Sequence, residues 1–182
     1  MPNVRSRQAK KAENPYKRSV TKSLVLTILT LFLLVVMFIS GQFVRKTYSL
    51  HPISGTSMAP ALTEKNVVLV KKKATIMRYD VIAFSVDGEK EKFVKRVIGI
   101  PGDKLFIRND RIILSIDDFE TTYTFQLSPS ISEEFKDLTT VPNDMYFTIG
   151  DHVDVSKDSR AFGFVSKKSI EGTVQFDFQS LK

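Results

Sequence analysis

The sequence has no cysteine and only two histidines, His51 and His152. Without thiols, a disulfide framework, a thiolate zinc site, a cysteine nucleophile and thiol redox chemistry are all excluded. Two histidines leave little for a metal centre or a Ser-His-Asp triad, and neither has a carboxylate at a spacing that suggests one. Glycine (8) and proline (7) are too few for a collagen-like or low-complexity chain. No repeat recurs at a fixed period, and there is neither a glycine-rich phosphate loop nor a ligand cluster, so no cofactor and no metal is expected. What the 182 residues hold instead, 42% apolar and 26% charged, is the composition of a chain that folds.

The formal charge of +7 is concentrated at one end. Residues 1–22 carry Arg5, Arg7, Lys10, Lys11, Lys17, Arg18 and Lys22 against the single acid Glu13, while the other 160 residues hold 20 basic and 19 acidic side chains. The high pI therefore belongs to the tail and gives no support to a nucleic-acid partner. From Ser23 to Val44 run 22 residues without a charge, rich in Leu, Val, Ile and Phe. At ~1.5 Å per residue a helix of that length spans roughly 33 Å, the thickness of a hydrocarbon core. Apolar residues lie on every face, which excludes an amphipathic surface helix. A cleaved secretory signal would have a shorter apolar region of about 7–15 residues, ending in small side chains. Here Arg45-Lys46 follow instead. The expected organisation is a basic cytoplasmic tail (1–22), a single transmembrane anchor (23–44) and an extracytoplasmic domain (45–182), oriented by the positive-inside bias. The tail is also suited to attraction by an anionic lipid bilayer.

Past the anchor the pattern changes to short β-branched runs. Strands are expected at Asn66–Lys71, Asp80–Phe84, Glu91–Ile100, Lys104–Arg108, Arg111–Ile116, Thr121–Gln126, Met145–Ile149 and Gly172–Phe178. Ser132–Leu138 reads as a short helix. Many short strands and few helices predict a mainly β domain, a barrel-like antiparallel or mixed arrangement of coiled sheets behind one N-terminal transmembrane helix.

Two features carry chemistry. Ser57 lies 13 residues past Val44, within roughly 45 Å of the membrane edge even if the chain is fully extended. Gly55 permits an unusual backbone conformation beside it and Pro60 stiffens the exit. A serine there is either a plain turn residue or a hydroxyl offered to a substrate, with nearby N–H groups to polarise a carbonyl. Lys95 shares a strand face with Phe93 and Val97, while Val94, Arg96 and Ile98 share the other. Its ammonium either snorkels to solvent or, if buried, loses its proton readily and becomes a base. Serine needs a base, and a desolvated lysine replaces histidine in some hydrolases. Position 60 is proline, so a Ser-x-x-Lys pattern is absent at Ser57 and the base must come from another strand.

Four blocks in order behind the anchor carry a family likeness: Ser54-Gly55-Thr56-Ser57-Met58-Ala59-Pro60-Ala61-Leu62, then Arg78-Tyr79-Asp80-Val81-Ile82-Ala83-Phe84, then Lys95-Arg96-Val97-Ile98-Gly99-Ile100-Pro101-Gly102-Asp103, and last the run from Gly150 to Gly163. Together they resemble the bacterial type I signal peptidases, membrane-anchored Ser/Lys proteases, in their short single-anchor form. The resemblance implies Ser57 as nucleophile, Lys95 as general base and Ser156 as a hydroxyl bonded to the lysine amine. It also implies an Asp158–Arg160 pair supporting that loop, a second Arg96–Asp151 pair, and an oxyanion site at the Ser57 backbone N–H. Ile53, Met58, Leu62, Ala83, Phe93 and Val94 would line shallow substrate pockets for small side chains. Gly55 stands where some members place a serine that helps hold the oxyanion, and His152-Val153 stands where Asn-Arg is more usual. The implied activity is removal of signal peptides from secretory pre-proteins, with the secretion translocon as a further partner. Two other readings remain at this stage: a self-cleaving repressor-type Ser/Lys protein, disfavoured by the apolar span, and an assembly factor for pili or surface proteins that acts without proteolysis.

Overall fold

The computed structural model describes residues 15–116 and 121–179. Most of the basic tail, residues 1–14, falls outside them. The chain divides into two compact units, 1–44 and 45–182. The first is built on α1 (Pro15–Thr47), within which Lys22–Thr47 is long and apolar enough to cross a membrane, with mean hydropathy 2.7 and nothing buried inside the protein. Thr27 and Thr30 return their hydroxyls to the carbonyls of Ser23 and Thr27, so these polar side chains add no unsatisfied group to the span.

The second unit contains β1 (Tyr48–Pro52), β2 (Asn66–Lys72), β3 (Val81–Phe84), β4 (Phe93–Gly99), β5 (Lys104–Arg108), β6 (Arg111–Ile116), β7 (Thr121–Gln126), α2 (Pro129–Phe135), β8 (Met145–Ile149), α3 (Ser159–Phe162), β9 (Val165–Ser166) and β10 (Ile170–Gln179). A seven-stranded sheet has the order β1-β2-β10-β3-β4-β8-β9, and β5-β6-β7 form a separate three-stranded sheet. All named pairings are antiparallel. The mainly β, antiparallel expectation holds, although among the described residues neither sheet closes into a barrel. β1 ends the large sheet, and β4 pairs with β8 only from Arg96 onward, so no described segment fills the place between β1 and Phe93–Lys95.

Alternation explains the strands. In β2, Asn66, Val68 and Val70 are buried while the residues between them are partly exposed. Val68 and Val70 join Ile53, Met58, Leu62 and Ala83 in a cluster beneath the Ser57 turn. A second cluster, around Leu105, Ile112, Leu114, Phe135 and Phe147, sits under the small sheet and α2. A third, built on Ile82, Phe84, Val97, Tyr146 and Val165, receives Phe93 and Phe162.

Differences from the sequence reading have local causes. The short helix starts at Pro129, not Ser132, because Ser128 caps it by accepting from the Ile131 N–H and Pro129 suits a first turn. Asn109 and Asp110 both adopt positive φ, 50° and 56°, giving β5–β6 a tight turn without glycine.

Candidate active site

Ser57 stands on the turn that leaves β1. Gly55 has φ +79°, a left-handed conformation that a side chain would resist. Met58 and Leu62 anchor the far side of the turn at 2% and 5% exposure, and the Leu62 N–H donates to the Met58 carbonyl. Ser57 is thus raised between an exposed Thr56 and a buried Met58. Its own carbonyl accepts from the His152 N–H at 3.0 Å.

Lys95 comes from the open stretch of β4 and is 3% exposed. Its Nζ lies 2.6 Å from Ser57 Oγ and 3.0 Å from the Val94 carbonyl, and 5.6 Å from the centre of the Phe93 ring. Both hydrogen-bond partners are uncharged. Burial lowers the Lys95 pKa below the ordinary lysine value; the negative fields of Asp158 and Asp151 oppose the shift without cancelling it. The amine therefore becomes a proton acceptor at lower pH than a surface lysine.

The 150–160 segment braces the pair. Asp158 is fully buried, holds the Gly150 N–H at 3.0 Å through Oδ2, and receives Arg160 Nε at 2.8 Å and Nη2 at 2.9 Å. Arg160 also donates to the carbonyls of Val153 and Ser156. Gly150 packs so closely that a Cβ there would stand 2.5 Å from the Ser57 carbonyl oxygen and 2.1 Å from Ser156 Oγ. Ser156 does not make the expected bond to the lysine amine: its buried hydroxyl has no hydrogen-bond partner among the described residues and packs against Gly150. Arg96, on the opposite face of β4 from Lys95, holds Asp151 at 2.8 and 2.7 Å.

A cleft of about 390 Å³ opens over the pair. Of the residues expected to line it, Ile53, Met58, Phe93 and Val94 do. Leu62 and Ala83 do not line it; both are buried in the cluster beneath the Ser57 turn, where they support its wall. Val155 and Lys157 add a third side that sequence reasoning did not assign.

Three more features escaped the sequence. Gly150 stands only as the first residue of the last family block, with nothing local to reveal its close packing on the Ser57 turn. Ser159, fully buried, accepts from the Thr148 N–H and fixes β8 to α3. His51, read as a bystander, has its Nε2 3.0 Å from Glu171 Oε2, a partner 120 positions away that no local spacing reveals. Among the described residues no group of three His, Cys, Asp or Glu side chains could hold a metal ion.

A serine hydroxyl held against a buried amine, on a β unit that follows an apolar helix, is the arrangement of a Ser–Lys hydrolase. The family model described as signal peptidase, peptidase S26, matches residues 21–179. Signal peptidase IB of Staphylococcus aureus is 32% identical over 163 residues, covering 79% of this chain and 83% of the relative. Signal peptidase I of Bacillus caldolyticus is 33% identical over 149 residues, covering 74% and 81%. A crystal structure of a signal peptidase I from Enterococcus faecalis shares 30% identity with TM-score 0.40, covering 56% of this chain and 98% of that one. The chain belongs to the peptidase S26 family of signal peptidases.

Proposed function

We propose that this chain is a membrane-bound serine endopeptidase that removes N-terminal signal peptides from exported pre-proteins, with Ser57 as nucleophile and Lys95 as general base. The observation that carries the assignment is the 2.6 Å separation of Ser57 Oγ from a buried Nζ whose ammonium form is disfavoured. Neutral Lys95 accepts the Ser57 proton as Oγ attacks the scissile carbonyl, then gives that proton to the leaving amine. The acyl group now on Ser57 is released by a water that the same amine deprotonates. The Ser57 N–H is the oxyanion donor; such a donor supplies ~2.7–4 kcal/mol of barrier lowering. Asp158 and Arg160 hold the bracing loop.

The substrate's main chain adds as a strand beside Phe93–Lys95, and small side chains fit pockets walled by Ile53, Met58, Phe93 and Val94. Seven basic residues before the span and only Arg45, Lys46 and titratable His51 soon after it favour a cytoplasmic N-terminus and an extracytoplasmic catalytic unit. That is the side on which a precursor's cleavage site emerges from the bilayer and the secretion translocon. A non-proteolytic assembly factor is not favoured, since both members of the pair are present and in contact.

The test is cleavage of a precursor with an Ala-x-Ala site by the full-length chain in detergent. Ser57→Ala and Lys95→Ala should each lower the rate by about 10⁴-fold or more. Undiminished cleavage by either variant overturns the assignment, and pilus assembly surviving both would restore the scaffolding alternative.

A further inference from the structure

The open place in the large sheet has two edges. One is the free edge of β1 with the turn that follows it, the other the Phe93–Lys95 stretch of β4, and both line the cleft. Between β1 and β4 the sheet runs through β2, β10 and β3 by four antiparallel pairings, so β1 and β4 point the same way. An extended peptide entering the cleft can pair with both edges at once and would close the strands into a ring. It can do so only if the edges stand two strand spacings apart, about 9.6 Å. Something must hold that width while the cleft is empty.

Glu171 is placed to do this. In the β10–β3 pairing, Ile170 opposes Phe84 and Gly172 opposes Ala83, leaving Glu171 as the extra residue of a bulge. A bulge re-aims the side chain it carries. Gly172 makes the local backbone approach possible, since a Cβ there would meet the Lys71 carbonyl oxygen at 2.0 Å. The re-aimed carboxylate takes Ser49 Oγ at 2.5 Å and has the His51 imidazole 3.0 Å away, both from β1, and it pairs with Lys92 at the head of β4. The Glu171 side chain is 16% exposed. Burial would raise its pKa, but the hydrogen bonds from Lys92 and Ser49 and the nearby His51 imidazole outweigh that and hold it at about 2. Lys92 itself lines the cleft, three residues or roughly 10 Å along the strand from Lys95.

We infer that Glu171 is a positioning residue for substrate binding: its carboxylate ties β1 to the head of β4 and so fixes the width of the slot that accepts the substrate's main chain. This rests on the peptidase reading above and adds a determinant to it. Glu171 touches neither the Ser57 hydroxyl nor the Lys95 amine, so its effect falls on binding and spares the chemical step.

The experiment uses the full-length chain in detergent micelles and a fluorogenic peptide bearing an Ala-x-Ala site. Glu171→Ala should raise KM about tenfold with kcat held within about threefold, the signature of lost uniform binding. Ser49→Ala and Lys92→Ala, each removing one arm, should shift KM the same way by less, and Glu171→Gln, which keeps an acceptor for Ser49, should fall between. In the Ser57→Ala background, adding Glu171→Ala should weaken peptide binding about tenfold. Unchanged KM and Kd overturn the inference, as does a loss confined to kcat. If Glu171→Ala does not fold, the two single-arm variants decide: unaltered KM in both rejects the role. Cleavage surviving in Ser57→Ala would sink the peptidase assignment alone, because the binding comparison does not depend on turnover.

Discussion

Arg96 grips Asp151 with two hydrogen bonds, 2.8 and 2.7 Å, on the β4 face turned away from Lys95. Neighbouring residues on one strand thus have opposite electrostatic tasks. Asp151 neutralises the guanidinium and also raises the Lys95 pKa through its field.

Replacing Asp151 by Asn removes that field and leaves the Arg96 charge uncompensated. Both changes disfavour the Lys95 ammonium, so the pH at which activity switches on should move downward. The pH dependence of kcat for Asp151→Asn checks this; a limb that stays put or moves upward would show that another group controls the rate.

The Phe93 ring centre lies 5.6 Å from the Lys95 amine, and the ring packs on Phe84 and Phe162 with centres 5.9 and 5.6 Å away. Phe93→Ala should admit water, return the lysine toward its ordinary value and move the activity limb upward. The lost packing should cost about 2–3 kcal/mol, at the low end for a phenylalanine because Phe93 is only partly buried. Denaturant titration and the pH–rate profile together separate the two effects.

Asp158 has no solvent exposure and serves both the Gly150 N–H and Arg160. Asp158→Ala strands a half-buried guanidinium and a buried donor, and should destabilise the protein by about 3 kcal/mol or more. Asp158→Asn, which keeps an acceptor for the Gly150 N–H, should lose less. Urea unfolding of the two variants tests the ranking.

Gly150 has no room for a methyl group, with the Ser57 carbonyl oxygen 2.5 Å from a Cβ position. Gly150→Ala must displace the Ser57 turn or the 150–158 loop. A misplacement of this scale costs on the order of 10²-fold in kcat, because the Oγ–Nζ contact depends on that turn. Ser156→Ala, by contrast, deletes a hydroxyl that has no partner among the described residues, and should leave stability within about 0.5 kcal/mol of the parent.

Much of this was legible in the residue order. Short β-branched runs located the strands at 66, 81, 93, 104, 111, 121 and 145 to within two residues at each end; β2 alternates with one face buried, whereas β3 and β8 are buried on nearly every side and read as continuous apolar runs. Ser57 and Lys95 were singled out together, because a serine needs a base and the four family blocks carry both; taken singly, each reads as an ordinary turn serine or strand lysine. β1 was not, since Tyr-Ser-Leu-His-Pro is a short run that follows the anchor directly and ends in proline, and its pairing with β2 lies outside any local pattern. Ring closure could not be judged either: whether β1 meets β4 depends on twist accumulated over five strands, which no local pattern encodes. The same holds for Glu171, whose partners lie 79 to 122 positions away and whose aim comes from a bulge.

The chain leaves β8 at Gly150 and turns aside before reaching the level of Phe93–Lys95. A vacancy shaped like one strand admits only polypeptide whose amides are not already spoken for. Helical segments and finished globular domains cannot enter, whatever side chains they display. If substrates enter as the proposed added strand, Ala-x-Ala motifs inside an already folded precursor should resist cleavage.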